Sequence, residues 1–225
     1  MTTIDIIKNT LLNNPDIASV KLIGYDAQKD IKGEYSTSWT DKDELVYASA
    51  LKLRDQHSLS FWIGIMAGCI NNPNWSERCL TASLRHNPIH FIANISIDNI
   101  DVMDMLASEN KRIAINSAVT LADGTEAHIP MLDFHLPFSD INTGIVINIC
   151  RQLGESGYIM ASGKSYHFIG KKLFGYNDMV QFMARALRFT PLVDEIWISH
   201  QLQDKSCSLR IGKKHGVVPT LICEI

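Results

Sequence analysis

The segment from residue 112 to residue 134 constrains the fold most. Residues 112–121 (RIAINSAVTL) are rich in β-branched and apolar side chains and run into an Asp123-Gly124 dipeptide. A strand followed by Asp-Gly predicts an antiparallel hairpin, with residues 127–134 as the returning strand. Further extended segments are expected at 90–97, at 158–160 and 166–169 around a Ser162-Gly163 turn, and at 196–202, 206–211 and 218–222. Helices are expected at 140–153, opened by Asp140 and followed by Gly154, and at 177–189. Hairpins interleaved with helices build an antiparallel or mixed sheet covered by helices, an α+β architecture.

The first third is mixed. Residues 4–12 have helical spacing and stop at Asn13-Asn14-Pro15, and residues 18–25 are β-like. A helix is expected over 41–54, with Asp41 as N-cap and Glu44 completing a capping box. Residues 58–66 read as an apolar strand and 75–84 as a helix opened by Pro73-Asn74. No Pro/Gly/Ser linker or repeat divides the chain, and a soft boundary falls at 86–90, giving an N-terminal α/β subdomain (1–88) and a second subdomain (89–225).

At 225 residues with a net charge of −3, the chain has no global basic field of the kind that drives non-specific nucleic-acid binding. Its five cysteines include no CxxC pair and no zinc-like Cys/His spacing, so buried reduced thiols are expected. The N-terminus has an acid early and no long apolar core, unlike a signal peptide. The longest apolar run, residues 61–70, is far shorter than the roughly 20 residues of a membrane helix. A cytoplasmic protein without membrane partners is expected.

Chemistry-capable residues gather in three places. In Leu132-Asp133-Phe134-His135, an extended chain turns Asp133 and His135 to one face, as a divalent-metal site would need. In Ser162-Gly163-Lys164-Ser165-Tyr166-His167, a tight turn places backbone N–H groups beside hydroxyl and ammonium donors, and His167 follows on the next strand; this suits phosphate oxygens. The spacing is not that of a Walker A loop. In Val193-Asp194 and the downstream Leu209-Arg210-Ile211-Gly212-Lys213-Lys214, an acid precedes a strand and cations follow. Each segment taken alone also reads as an ordinary solvated strand edge or turn.

Their order is more telling than any one of them. The series of hDhX, SGxxxH, then hD with a basic strand after it, resembles the archaeo-eukaryotic primase superfamily of primase small subunits and primase-polymerases. The resemblance covers roughly residues 129–222. It implies a primase-like fold, an RRM-like sheet module packed with an N-terminal α/β unit that forms one wall of the cleft. It also implies a nucleotidyltransferase acting on NTPs or dNTPs, on single-stranded nucleic acid or a template-primer, in DNA replication or repair.

By the same resemblance, Asp133, His135 and Asp194 would be the catalytic, metal-binding set for Mg²⁺ or Mn²⁺, and Ser162, Gly163, Lys164, His167, Arg210 and Lys213 would grip the triphosphate. No zinc is expected. His135 stands where the family pattern has Asp or Glu. A neutral imidazole is a poor Mg²⁺ ligand, so the sequence predicts one metal only, a shift toward Mn²⁺, or an activity weakened or lost. The alternative is a non-catalytic module of the same fold that binds nucleotides or nucleic acid.

Overall fold

Strand β1 (Ile17–Tyr25) has an antiparallel partner on each side, β2 (Ile89–Ser96) and β3 (Arg112–Leu121). β3 also pairs with β4 (Glu126–His128) across the Asp123-Gly124 turn, where Gly124 has φ 84°. The computed structural model describes residues 1–25, 40–57, 59, 61–71, 77–84, 89–108, 112–213 and 217–225. These fall into two units, Met1–Tyr25 with Ile89–Ile225, and Asp26–Pro88. Residues 1–25, read from the sequence with the N-terminal subdomain, belong to the unit carrying residues 89–225, because β1 lies inside its larger sheet.

The returning strand expected over 127–134 forms only in part, and Pro130 is the reason. After His128, the Ile129 N–H still donates to Ser117 on β3. Pro130 has no N–H to continue that ladder, and its carbonyl instead accepts from Gly170. The chain thereby changes sheets. β5 (Met131–Asp133) joins a second antiparallel sheet in the order β5-β7-β6-β9, with β6 (Gly157–Ala161), β7 (Tyr166–Gly170) and β9 (Thr220–Glu224). β8 (Ser208–Arg210) stays with the first sheet, against β3.

Helices α1 (Thr3–Leu12), α5 (Val102–Ser108), α6 (Asp140–Leu153), α7 (Tyr176–Ala186) and α8 (Glu195–Gln203) complete this unit. The apolar residues of α1, α6 and α7 share one buried cluster with both sheets, including Ile6, Leu22, Ile113, Leu132, Val146, Phe168 and Phe182. Ser139, not Asp140, caps α6, its hydroxyl accepting the Asn142 N–H, and Gly154 ends the helix at φ 79°. α8 occupies the segment expected as a strand over 196–202. Its alternating Ile-Trp-Ile run fits either period over so short a length, and the Asp194 cap decides for helix. The fold is α+β with antiparallel sheets.

The unit Asp26–Pro88 contains α2 (Asp41–His57), α3 (Phe61–Asn71) and α4 (Glu77–Leu84) around Val46, Ala50, Phe61, Ile65, Cys69 and Cys79. Thr40 and Asp43 form the reciprocal cap of α2, one residue before the expected Asp41–Glu44 pair. The strand expected over 58–66 is instead α3. Its Gly64 and Gly68, one turn apart, lie against α2, and a Cβ at Gly64 would come within 2.7 Å of the Ala50 carbonyl oxygen. All five cysteines are free thiols, and burial pushes Cys150 and Cys207 up to about 12, which makes them unreactive. No helix among the described residues is long and apolar enough to cross a membrane.

Candidate functional site

The end of β5 places the first candidate acid. Leu132 and Phe134 are buried, Asp133 is half-buried and His135 is exposed, which is the alternation expected of an extended segment. Phe134 bridges Val193, with the Asp194 N–H donating to the Asp133 carbonyl at 3.0 Å and the His135 N–H to the Leu192 carbonyl at 2.9 Å. Asp194 therefore stands opposite Asp133. Its carboxylate Oδ1 accepts the Trp197 N–H at 2.9 Å and starts α8, whose first residue is Glu195.

Asp133 is also paired in register with His167 on β7, and its Oδ1 lies 3.6 Å from His167 Nε2. His167 is almost wholly buried. His167, expected at the phosphate, thus lies beside Asp133.

The β6–β7 turn is the tight connection of residues 162–165. The Ser162 N–H donates to the Ser165 carbonyl at 2.9 Å, leaving Gly163 and Lys164 at the tip. Gly163 has φ 110°, a conformation open to glycine and avoided by side chains. Lys164 is exposed there.

Arg210, at the end of β8, anchors this turn to the other sheet. Its guanidinium donates to the carbonyls of Ser162 (2.5 Å), Gly212 (2.6 Å) and Val217 (3.1 Å). Burial lowers its pKa, and the negative charge of Asp133 works in the opposite direction. The expected phosphate ligand Arg210 thus donates three hydrogen bonds to main-chain oxygens. Lys213 is exposed, and Lys214 lies outside the described residues.

Two residues of the second motif have roles that the sequence did not disclose. Ser165 Oγ donates to the Phe134 carbonyl. The Tyr166 hydroxyl donates to the Ser139 carbonyl at 2.7 Å, accepts the Ser139 N–H at 2.9 Å and meets Thr143 Oγ1 at 3.1 Å. Together they lock the 134–139 segment onto the turn. The only sequence signal for this was the presence of two hydroxyl side chains inside the motif.

Among the described residues no three His, Cys, Asp or Glu side chains are grouped to hold a metal ion. Asp194 Oδ1 caps α8, Asp133 Oδ1 lies 3.6 Å from His167 Nε2, and His135 lies beyond the strand end and is exposed.

A family model described as archaeo-eukaryotic primase 1D-like matches residues 96–222, more than half of the chain. The chain belongs to this family. The primase-like match spans β3 to β8 and most of β9, so all three motifs lie inside it. With it comes a nucleotidyltransferase-type fold. Searches of the curated proteins and of the solved structures gave no match.

Proposed function

We propose that this primase-like chain binds the phosphate chain of a nucleoside triphosphate at the Ser162-Gly163-Lys164 turn and does not polymerise nucleotides. The observation that carries this reading is the β6–β7 turn itself. It is a glycine-tipped loop whose closing hydrogen bond does not use the Gly163 and Lys164 amides, and it presents an exposed ammonium. Backbone amides beside a cation suit an anion of several oxygens. Gly163 lets a phosphate approach the main chain closely, Lys164 neutralises charge, and Arg210 holds the turn by the Ser162 carbonyl. Polymerisation by this superfamily's route needs acids that converge on metal ions. Here one oxygen of Asp194 serves a helix cap and one of Asp133 a histidine contact.

Calorimetric titration with ATP and dATP, in chelator and then with Mg²⁺ or Mn²⁺, tests the proposal. Binding that persists in chelator is expected, and no binding under any condition overturns it. A second reading, a nucleotidyltransferase with one metal, is favoured by one observation, the placement of Asp194 opposite Asp133. Primer-extension and de novo synthesis assays with each metal separate the two. Product that disappears in the Asp133→Ala variant establishes the second reading and removes the first.

A further inference from the structure

We infer that Phe138 is the platform on which the nucleobase of the bound nucleotide stacks, a role that rests on the phosphate reading of the neighbouring turn. Phe138 is 51% exposed, although the segment around it is tightly bonded. Its N–H donates to the Lys164 carbonyl at 3.1 Å, so the aromatic ring and the exposed ammonium leave adjoining stretches of backbone. A ligand with phosphates at one end and a flat aromatic group at the other is the chemistry that meets both.

The usual structural reason for an apolar residue at this position is absent. Phe138 precedes the Ser139 N-cap of α6, where an apolar side chain ordinarily packs on the residue four places into the helix. That residue is Thr143, whose hydroxyl bonds to the Ser139 carbonyl and to the Tyr166 hydroxyl. The ring rests instead on Tyr166, with centroids 5.5 Å apart and planes inclined by 38°. Tyr166 is fully buried and its hydroxyl is held by Ser139 and Thr143. Phe138 is thus an aromatic surface backed by an immobilised ring, and a base can stack on such a surface at little ordering cost.

The test compares ATP with inorganic tripolyphosphate, which has the phosphates but no base. The unmodified chain is expected to bind ATP about tenfold more tightly than tripolyphosphate. Phe138→Ala is expected to bring ATP to the tripolyphosphate value while leaving tripolyphosphate unchanged. Phe138→Trp, which keeps a stacking surface, is expected to preserve the preference, and unchanged tripolyphosphate binding by Phe138→Ala shows that its loss is not misfolding. Equal binding of ATP and tripolyphosphate by the unmodified chain, or a preference that survives Phe138→Ala, overturns the stacking role and leaves the phosphate site standing. Failure of both ligands to bind overturns the phosphate site, and the stacking role falls with it.

Discussion

The main-chain N–H of Asp194 donates to the carbonyl of Asp133 at 3.0 Å, which sets two acids opposite each other at the end of β5. Asp133 lies 3.6 Å from His167 and within electrostatic range of Arg210, beside the turn proposed to take phosphate. At a site that binds phosphate without metal, this carboxylate repels the ligand. Asp133→Asn is therefore expected to strengthen ATP binding in chelator by about three- to tenfold, on the order of 1 kcal/mol for one charge at a partly screened distance. Calorimetry of the two proteins side by side checks this. Weaker binding in the variant would assign Asp133 to a direct ligand contact.

Asp194 is treated by the fold as a helix cap, and its substitutions should behave accordingly. Asp194→Ala removes the acceptor for the Trp197 N–H and is expected to lower stability by about 1 kcal/mol in urea denaturation. Asp194→Asn keeps an acceptor and should stay within a few tenths of a kcal/mol. Neither change should alter the effect of Mn²⁺ on nucleotide binding. Loss of a Mn²⁺-dependent gain in Asp194→Asn, with stability intact, contradicts the cap-only role.

Gly163 gives a test of the turn that does not depend on charge. At φ 110° an alanine is strained, although the nearest atom to an added Cβ, Val217 Cγ1, is at 3.6 Å and presents no clash. Gly163→Ala is expected to cost about 1–3 kcal/mol of stability. It should also weaken ATP and tripolyphosphate binding by the same factor, because the loss lies in the backbone cradle both share. A variant that binds as tightly as the parent would separate phosphate binding from this turn.

The elements legible in the sequence are those whose pattern is local. The β6–β7 hairpin announces itself by Ser162-Gly163 between apolar runs, and α6 and α7 by long amphipathic periods and Gly154. Two short apolar segments read as strands in the sequence and fold as helices. The run in α3 lacks the length and contrast to reveal a period, and the packing of Gly64 and Gly68 against α2 is not visible in the sequence. The α8 run alternates well enough to mimic a strand, and only the Asp194 cap tells otherwise.

For the site, the three motifs name residues but not their pairing. They did not reveal that Pro130 carries β5 into the second sheet, which alone sets His167 against Asp133. Nor does the residue type of Arg210 show that main-chain carbonyls two residues and 48 residues away take its donors. Such facts depend on pairing between distant segments, and a single sequence does not print that pairing.

His128 connects the first sheet to pH. Its ring is buried, with Nδ1 3.3 Å from Ser117 Oγ and Nε2 3.6 Å from Glu126 Oε1. Burial lowers its pKa below the ordinary 6.5, Glu126 opposes that shift and Lys21 adds to it. The folded state therefore favours the neutral ring, while the unfolded chain takes up a proton near the ordinary value. Stability contributed by the neutral ring is present above pH 6.5 and is lost as pH falls from there toward the lowered folded value. His128→Gln has no proton to take up, so its denaturation midpoint should fall less than the parent's between pH 7.5 and pH 5.5, even if it starts lower. Parallel pH dependences in the two proteins would show that acid destabilisation arises elsewhere.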